Sequence, residues 1–188
     1  TMPQLLRAAA TAYGDDAKKR IDGETQPDDL ITFAQLDARS AELARGLIAR
    51  GVGKGTRIGF IFGNGPQFAL ILAATARIGA VAVPISTMIK ANELVRVLRR
   101  SDIHGLIVQR RVLGHDMAAC LSDALPQLTD ATAGDLRIAQ APYLRWIVSD
   151  GDDLPSSFLH TDWLTARAGT VTGQLLREIE NEVHPTDQ

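Results

Sequence analysis

Long apolar runs, paired cysteines and any surplus of basic charge are missing from this 188-residue sequence. No stretch approaches the ~18 apolar residues that a membrane-crossing helix needs, and none stands at the start in the manner of a signal peptide. The single cysteine, Cys120, excludes an internal disulfide framework and a zinc site built from several thiolates. Lysine is scarce: Lys18, Lys19, Lys54 and Lys90 are the only four among 20 basic residues, set against 22 acidic ones for a formal charge of −2. That balance removes the bulk electrostatic case for a nucleic-acid partner, because binders of polyanions carry a clear basic excess. The remainder is 45% hydrophobic and 22% charged, the composition of a folded chain able to build a core. A cytoplasmic protein is expected.

Periodicity divides the chain into alternating helices and strands. Apolar residues at helical spacing predict helices over 3–13, 33–50, 66–78, 92–100, 112–128 and, less continuously, 162–183. Short β-branched runs predict strands at 57–62, 80–85, 105–109 and 144–149. Thr32 followed by Gln35 is a capping-box pair, Gly51 and Gly79 are natural helix stops, and Pro66 suits a first helical turn. A small hairpin is expected over 17–33, and 150–160 reads as a polar loop. Strands alternating with helices imply an α/β fold with a largely parallel sheet flanked by helices.

Few residues carry chemistry. Gly51-Val52-Gly53-Lys54-Gly55-Thr56 imitates a nucleotide phosphate loop but has the wrong spacing, and it runs from helix to strand instead of strand to helix. Gly63-Asn64-Gly65 has the right context, yet Phe68 occupies the place of the third glycine of a dinucleotide fingerprint. His104, His115, His160 and His184 are scattered without metal-ligand spacing. Cys120 reads as a buried helix thiol. Asp150, Asp152 and Asp153 lack calcium-loop spacing and read as a solvated turn. Arg96, Arg99 and Arg100 share one helix face, and with Arg110 and Arg111 they are expected to form an exposed basic patch. A solvated surface and an anion or lipid contact are the two readings of that patch.

One resemblance supplies more. Ile31-Thr32-Phe33-Ala34-Gln35-Leu36, with the helix after it, resembles the first core motif of adenylate-forming enzymes, the group of acyl-CoA synthetases, peptide-synthetase adenylation domains and luciferases. Gly51 to Ile58 fits that family's turn into a strand, with Thr56 where aspartate is usual and Gln35 where glutamate is. Asn64-Gly65-Pro66-Gln67-Phe68 resembles the next helix start. Ala76-Arg77-Ile78-Gly79-Ala80-Val81-Ala82-Val83-Pro84-Ile85 is similar to the second core motif. Thr32, Gly79 and Pro84 are therefore the motif residues, with structural roles.

The resemblance implies the N-terminal part of the family's AMP-binding large domain, residues 1–188, ending ahead of the ATP phosphate loop. It implies a parent enzyme that uses ATP, magnesium and coenzyme A to turn a carboxylic or fatty acid into an acyl-adenylate and then an acyl-CoA. No residue here matches the family's phosphate loop, magnesium-binding glutamate, ribose-binding aspartate or adenylation lysine, so this chain alone is expected to be inactive and to bind no cofactor. The alternatives are a fatty acyl-AMP ligase that loads a carrier protein and a non-catalytic α/β nucleotide-binding or interaction module. The expected partners are the C-terminal remainder of the same protein and the acid substrate, with peripheral membrane contact as an option. Surfaces left uncovered are expected to promote self-association.

Overall fold

A computed structural model describes residues 1–14 and 30–187. The hairpin expected over 17–33 falls on 15–29 for the most part, outside the described residues. The chain divides into two compact units, one made of Thr1–Gly55, Asn64–Val81 and Leu164–Gln188, the other of Thr56–Gly63 and Ala82–Trp163.

The first unit is helical. It contains α1 (Met2–Tyr13), α2 (Phe33–Ala49), α3 (Pro66–Arg77) and α7 (Gly173–Asn181). Helix α2 begins at the expected capping box: Gln35 N donates to Thr32 Oγ1 over 3.1 Å, and Thr32 N donates to Gln35 Oε1 over 3.0 Å. Its buried stripe runs through Ser40, Leu43, Ala44 and Leu47, and Gly51 at φ 80° turns the chain out of the helix. A Cβ on Gly46 would stand 1.9 Å from the Leu164 carbonyl oxygen, so only glycine lets α2 approach that backbone.

The second unit is built on a five-stranded sheet in the order β2-β1-β3-β6-β7. Its strands are β1 (Arg57–Ile61), β2 (Val81–Pro84), β3 (Gly105–Val108), β6 (Trp146–Ser149) and β7 (Leu159–His160). The pairs β1–β3, β3–β6 and β6–β7 are parallel, with Phe60 opposite Ile107 and Gly105 opposite Trp146. Gly105 is required by packing, since a Cβ there would lie 2.0 Å from the Trp146 ring. Ile61, Leu106, Val108 and Ile147 form one apolar cluster with Leu94 and Leu98 of α4 (Ala91–Arg100) and with Met117 and Leu121 of α5 (Met117–Ala124). The alternate strand residues Ile58, Phe60, Ile107 and Val148 are equally buried, so the strands read as continuous apolar runs and not as alternating ones.

All four expected strands belong to this sheet, and several details differ from expectation. Residues 112–128 do not form one helix. Arg111–Val112 and His115–Asp116 are instead the antiparallel strands β4 and β5, joined through Leu113 at φ 50° and Gly114 at φ 78°. Two successive left-handed residues make a tight hairpin turn and cannot continue a helix. Helix α5 starts afterwards, where Asp116 accepts from Ala119 N over 3.0 Å, and a 3-10 turn follows at Pro126–Asp130. The polar loop over 150–160 ends in β7, which at two residues is too short to show alternation. Residues 162–183 break into α6 (Asp162–Thr165), a turn at Ala168–Thr170 and α7, because Thr172 caps a new helix by accepting from Leu175 N. Cys120 is half-buried, not buried, with Sγ 3.9 Å from the Ile89 carbonyl oxygen. Burial pushes its thiol pKa up, and the Asp123 carboxylate adds to that.

Candidate functional site

In open α/β sheets, ligands bind beyond the carboxyl ends of the strands where the strand order reverses. The order β2-β1-β3 puts that reversal between β1 and β3. Within the second unit the chain leaves β1 through Phe62 and Gly63, and leaves β3 through Gln109 and Arg110. Two backbone donors there are engaged. Gly63 N donates to Gln109 Oε1 over 3.0 Å, and Arg110 N donates to the Asp150 carboxylate. The Arg110 guanidinium lies 3.0 Å from Asp116 Oδ2, while Asp116 Oδ1 caps α5. A phosphate site needs several converging amides free to donate. Here an amide oxygen and a carboxylate take these two amides, so neither is free for a ligand. Among the described residues, no three His, Cys, Asp or Glu side chains converge as a metal set.

The two glycine loops are likewise structural. Lys54 donates to the Glu182 carbonyl over 3.0 Å and pairs with Asp187 at 2.9 Å, so its ammonium ties the turn after α2 to the end of the chain. Asp187 is held below the usual carboxylate range, first by the His184 backbone N–H and then by Lys54. Gly65 is the N-cap of α3 and Pro66 its first residue. Thr32 caps α2. Gly79 at φ 67° ends α3 and accepts from Gly55 N over 2.9 Å. Pro84 closes β2, an edge strand, where a missing N–H removes no ladder bond from a central position.

The five arginines fall into two sets by their partners. Arg96, Arg99 and Arg100 are exposed on α4, and none has a carboxylate partner among the described residues. Arg110 and Arg111 follow β3, where Asp116 takes both, at 3.0 and 3.8 Å. Helix α4 returns the chain to the start of β3, so topology separates the two sets by the length of that strand. Of the histidines, His104 is half-buried and its pKa lies below the ordinary imidazole value, through burial first and the Arg145 charge second. His115 and His160 are exposed, His160 facing Asp162 at 3.3 Å.

One cluster went unread in the sequence. Arg77 is buried in the first unit, its Nε 2.6 Å from Glu180 Oε1 and its Nη1 within 2.7–2.9 Å of Asp37 Oδ1, the Asp37 carbonyl and Ser40 Oγ. Arg7 pairs with the second oxygen of the buried Glu180. The available signal was an arginine closing the apolar stretch Ala69-Leu70-Ile71-Leu72-Ala73-Ala74. Its Nε and Nη1 donors are answered within the fold, so together with Arg7 it fastens α1, α2, α3 and α7.

These features define an α/β domain whose strand-order switch carries bonds from the Gln109, Asp116 and Asp150 side chains. The model of the AMP-binding enzyme family matches residues 6–166, and the chain belongs to that family. It is 32% identical over 185 residues to the "Putative acyl-CoA synthetase YngI" of Bacillus subtilis strain 168, covering 97% of this chain and 33% of that protein. The mitochondrial medium-chain acyl-CoA ligase ACSF2 of Mus musculus is 29% identical over 136 residues, 72% of this chain and 22% of its own length. The chain thus spans a third or less of these relatives. Among solved structures, the anthranilate CoA ligase AuaEII in complex with anthranoyl-AMP superposes with a TM-score of 0.68 at 20% identity, over 88% of this chain and 28% of that one. Coronafacic acid ligase from Pectobacterium brasiliense gives 0.64 at 18% identity, over 88% and 29%. At these identities the structures establish the shared fold.

Proposed function

We propose that this chain is part of an ATP-dependent acid–thiol ligase, and that the whole protein converts a carboxylic acid to its CoA thioester. The observation that carries this reading is the family match over residues 6–166, together with relatives named as acyl-CoA synthetases and ligases. In that chemistry a carboxylate oxygen attacks the α-phosphorus of ATP and pyrophosphate leaves. The thiol sulfur of coenzyme A then attacks the acyl carbon, AMP departs and the thiol proton is lost. Adenylation makes the carboxylate oxygen a good leaving group, and neutralising phosphate charge is the main electrostatic task. Magnesium would supply that neutralisation. Two switch-point amides are taken by Gln109 and Asp150 and, among the described residues, no three His, Cys, Asp or Glu side chains converge on an ion, so no step is assigned to these residues. This chain contributes scaffold. A fatty or similarly apolar acid is the proposed substrate class, in keeping with the relatives named for medium-chain acids.

The test is acid-dependent ATP–pyrophosphate exchange by the whole protein across a panel of fatty acids, followed by thioester analysis. Exchange with CoA thioester formation is the expected result. Exchange with acyl transfer to a carrier protein alone would reassign the acceptor. No acid-dependent exchange would overturn the reading. The 188-residue chain by itself is expected to show no exchange.

A further inference from the structure

We propose that the outer face of α4 is an adsorption surface for anionic lipid bilayers. The attraction is electrostatic and independent of any ligase activity. Arg96, Arg99 and Arg100 stand at i, i+3 and i+4, the spacing that puts side chains on one helix face. All three are exposed, and no carboxylate among the described residues pairs with any of them. Arg7, Lys54, Arg57, Arg77, Arg110, Arg111 and Arg137 each lie within 4.0 Å of an acid. Arg39, Arg167 and Arg177 are also exposed without an ion pair among the described residues, but they stand singly on separate segments, whereas α4 gathers three on one face. Lys90, the exposed N-cap, extends the basic face, and Glu93 is the one acid on the helix's exposed side.

The helix is also held for surface contact. Leu94 and Leu98 are 0% and 1% exposed in the apolar cluster of the second unit, so α4 cannot turn its apolar side outward. What it presents is a rigid row of guanidinium groups on flexible stems, suited to phosphate headgroups in a plane. A bilayer fits better than a nucleic acid, because the net charge of −2 disfavours a polyanion that wraps the protein. A phosphopeptide would call for a pocket beside the arginines, and this face is a convex helix side.

A basic residue near an anionic leaflet strengthens partition by about fivefold, so three give roughly a hundredfold. The experiment is co-sedimentation of the whole protein with phosphatidylcholine vesicles, with and without phosphatidylserine, at low and high salt. Binding is expected only with phosphatidylserine and to weaken steeply with salt. The variant Arg96→Gln/Arg99→Gln/Arg100→Gln is expected to lose about a hundredfold in partition. A charge-matched control, Arg39→Gln/Arg137→Gln/Arg177→Gln, changes three other exposed arginines and is expected to keep most of the binding. Melting temperatures of both variants check that they fold. The proposal fails if the wild-type protein ignores phosphatidylserine or if the two triple variants lose binding equally. It also fails if inorganic phosphate at matched ionic strength displaces the vesicles, or if a phosphoserine peptide binds in preference to them.

Discussion

The two units differ in what they bury beside hydrocarbon. The helical unit holds a charge network next to apolar residues such as Leu43, Leu47, Leu70 and Ile71: Arg77 and Glu180 are 3% exposed each and bonded to one another, with Asp37, Ser40 and Arg7 completing the set. The sheet unit closes around hydrocarbon, from Ile61 and Leu106 to Leu121 and Ile147, and its ion pairs stay nearer solvent. The physical contrast is in tolerance. An apolar core loses stability in proportion to the volume removed, whereas a buried ion pair cut in half leaves a charge with no water to replace its partner. The contrast also concerns specificity, because Arg77 has directional bonds to α2 and α7 while Leu106 accepts any neighbour of the right shape.

The largest expected effect comes from splitting that charge network. Arg77→Met should lower unfolding free energy by about 3–5 kcal/mol, because Glu180 is left buried with Arg7 as its sole counter-charge. Urea denaturation measures this, and Arg77→Met/Glu180→Leu should recover a large part of the loss. A single-variant cost near zero would mean that the helical unit does not depend on its charges. Next come the two close approaches, one in each unit. Gly46→Ala drives a methyl toward the Leu164 backbone oxygen and Gly105→Ala toward the Trp146 ring, at 1.9 and 2.0 Å before relaxation. Overpacking of this kind costs about 1–3 kcal/mol, and Gly46→Ala should be the worse because a backbone yields less than an indole. Thermal melts rank the pair, and Trp146 fluorescence should respond to Gly105→Ala. Equal melting temperatures would erase the distinction.

Smaller is the comparison of caps. Thr32→Ala at the start of α2 should cost about 1 kcal/mol. Asp116→Ala at the start of α5 should cost more, since Arg110 and Arg111 lose their acid with the cap. Chemical denaturation of both variants decides the order. The smallest effect is a pH dependence in the sheet unit. His104 has a lowered pKa when folded, so the unfolded chain binds the proton more readily. Its contribution is therefore complete above the ordinary imidazole value of 6.5 and declines as pH falls below it toward the folded value. His104→Gln should flatten the acid side of a stability–pH curve, and an unchanged slope would assign that acid sensitivity to other groups.

Much of the architecture was legible because it is written in short-range signals. The capping box of Thr32 and Gln35, the stops at Gly51 and Gly79, and Pro66 at a first turn each act within four residues of themselves. The strands around Phe60, Leu106 and Ile147 announced themselves as β-branched runs. The hairpin at 111–116 was misread as helix because its turn depends on Leu113 adopting a left-handed backbone, a conformation that its residue type does not advertise. Strand β7 was missed for its length. The arginine patch was half legible: i, i+3, i+4 spacing places Arg96, Arg99 and Arg100 together, while the pairing of Arg110 and Arg111 with Asp116 follows from the hairpin.

By itself the sequence determined the alternation of helices and strands, the ends of α2 and α3, and the motifs that mark an AMP-binding enzyme, since local hydrogen bonding and hydrophobic period act along the chain. Tertiary structure decided which distant residues share an interior. Arg77 meets Glu180 across 103 positions and Gly63 meets Gln109 across 46, and no periodicity encodes such pairs. It also decided that the Gly63 and Arg110 amides at the strand-order switch are taken by Gln109 and Asp150. Whether a donor is free depends on where the folded chain brings its acceptor.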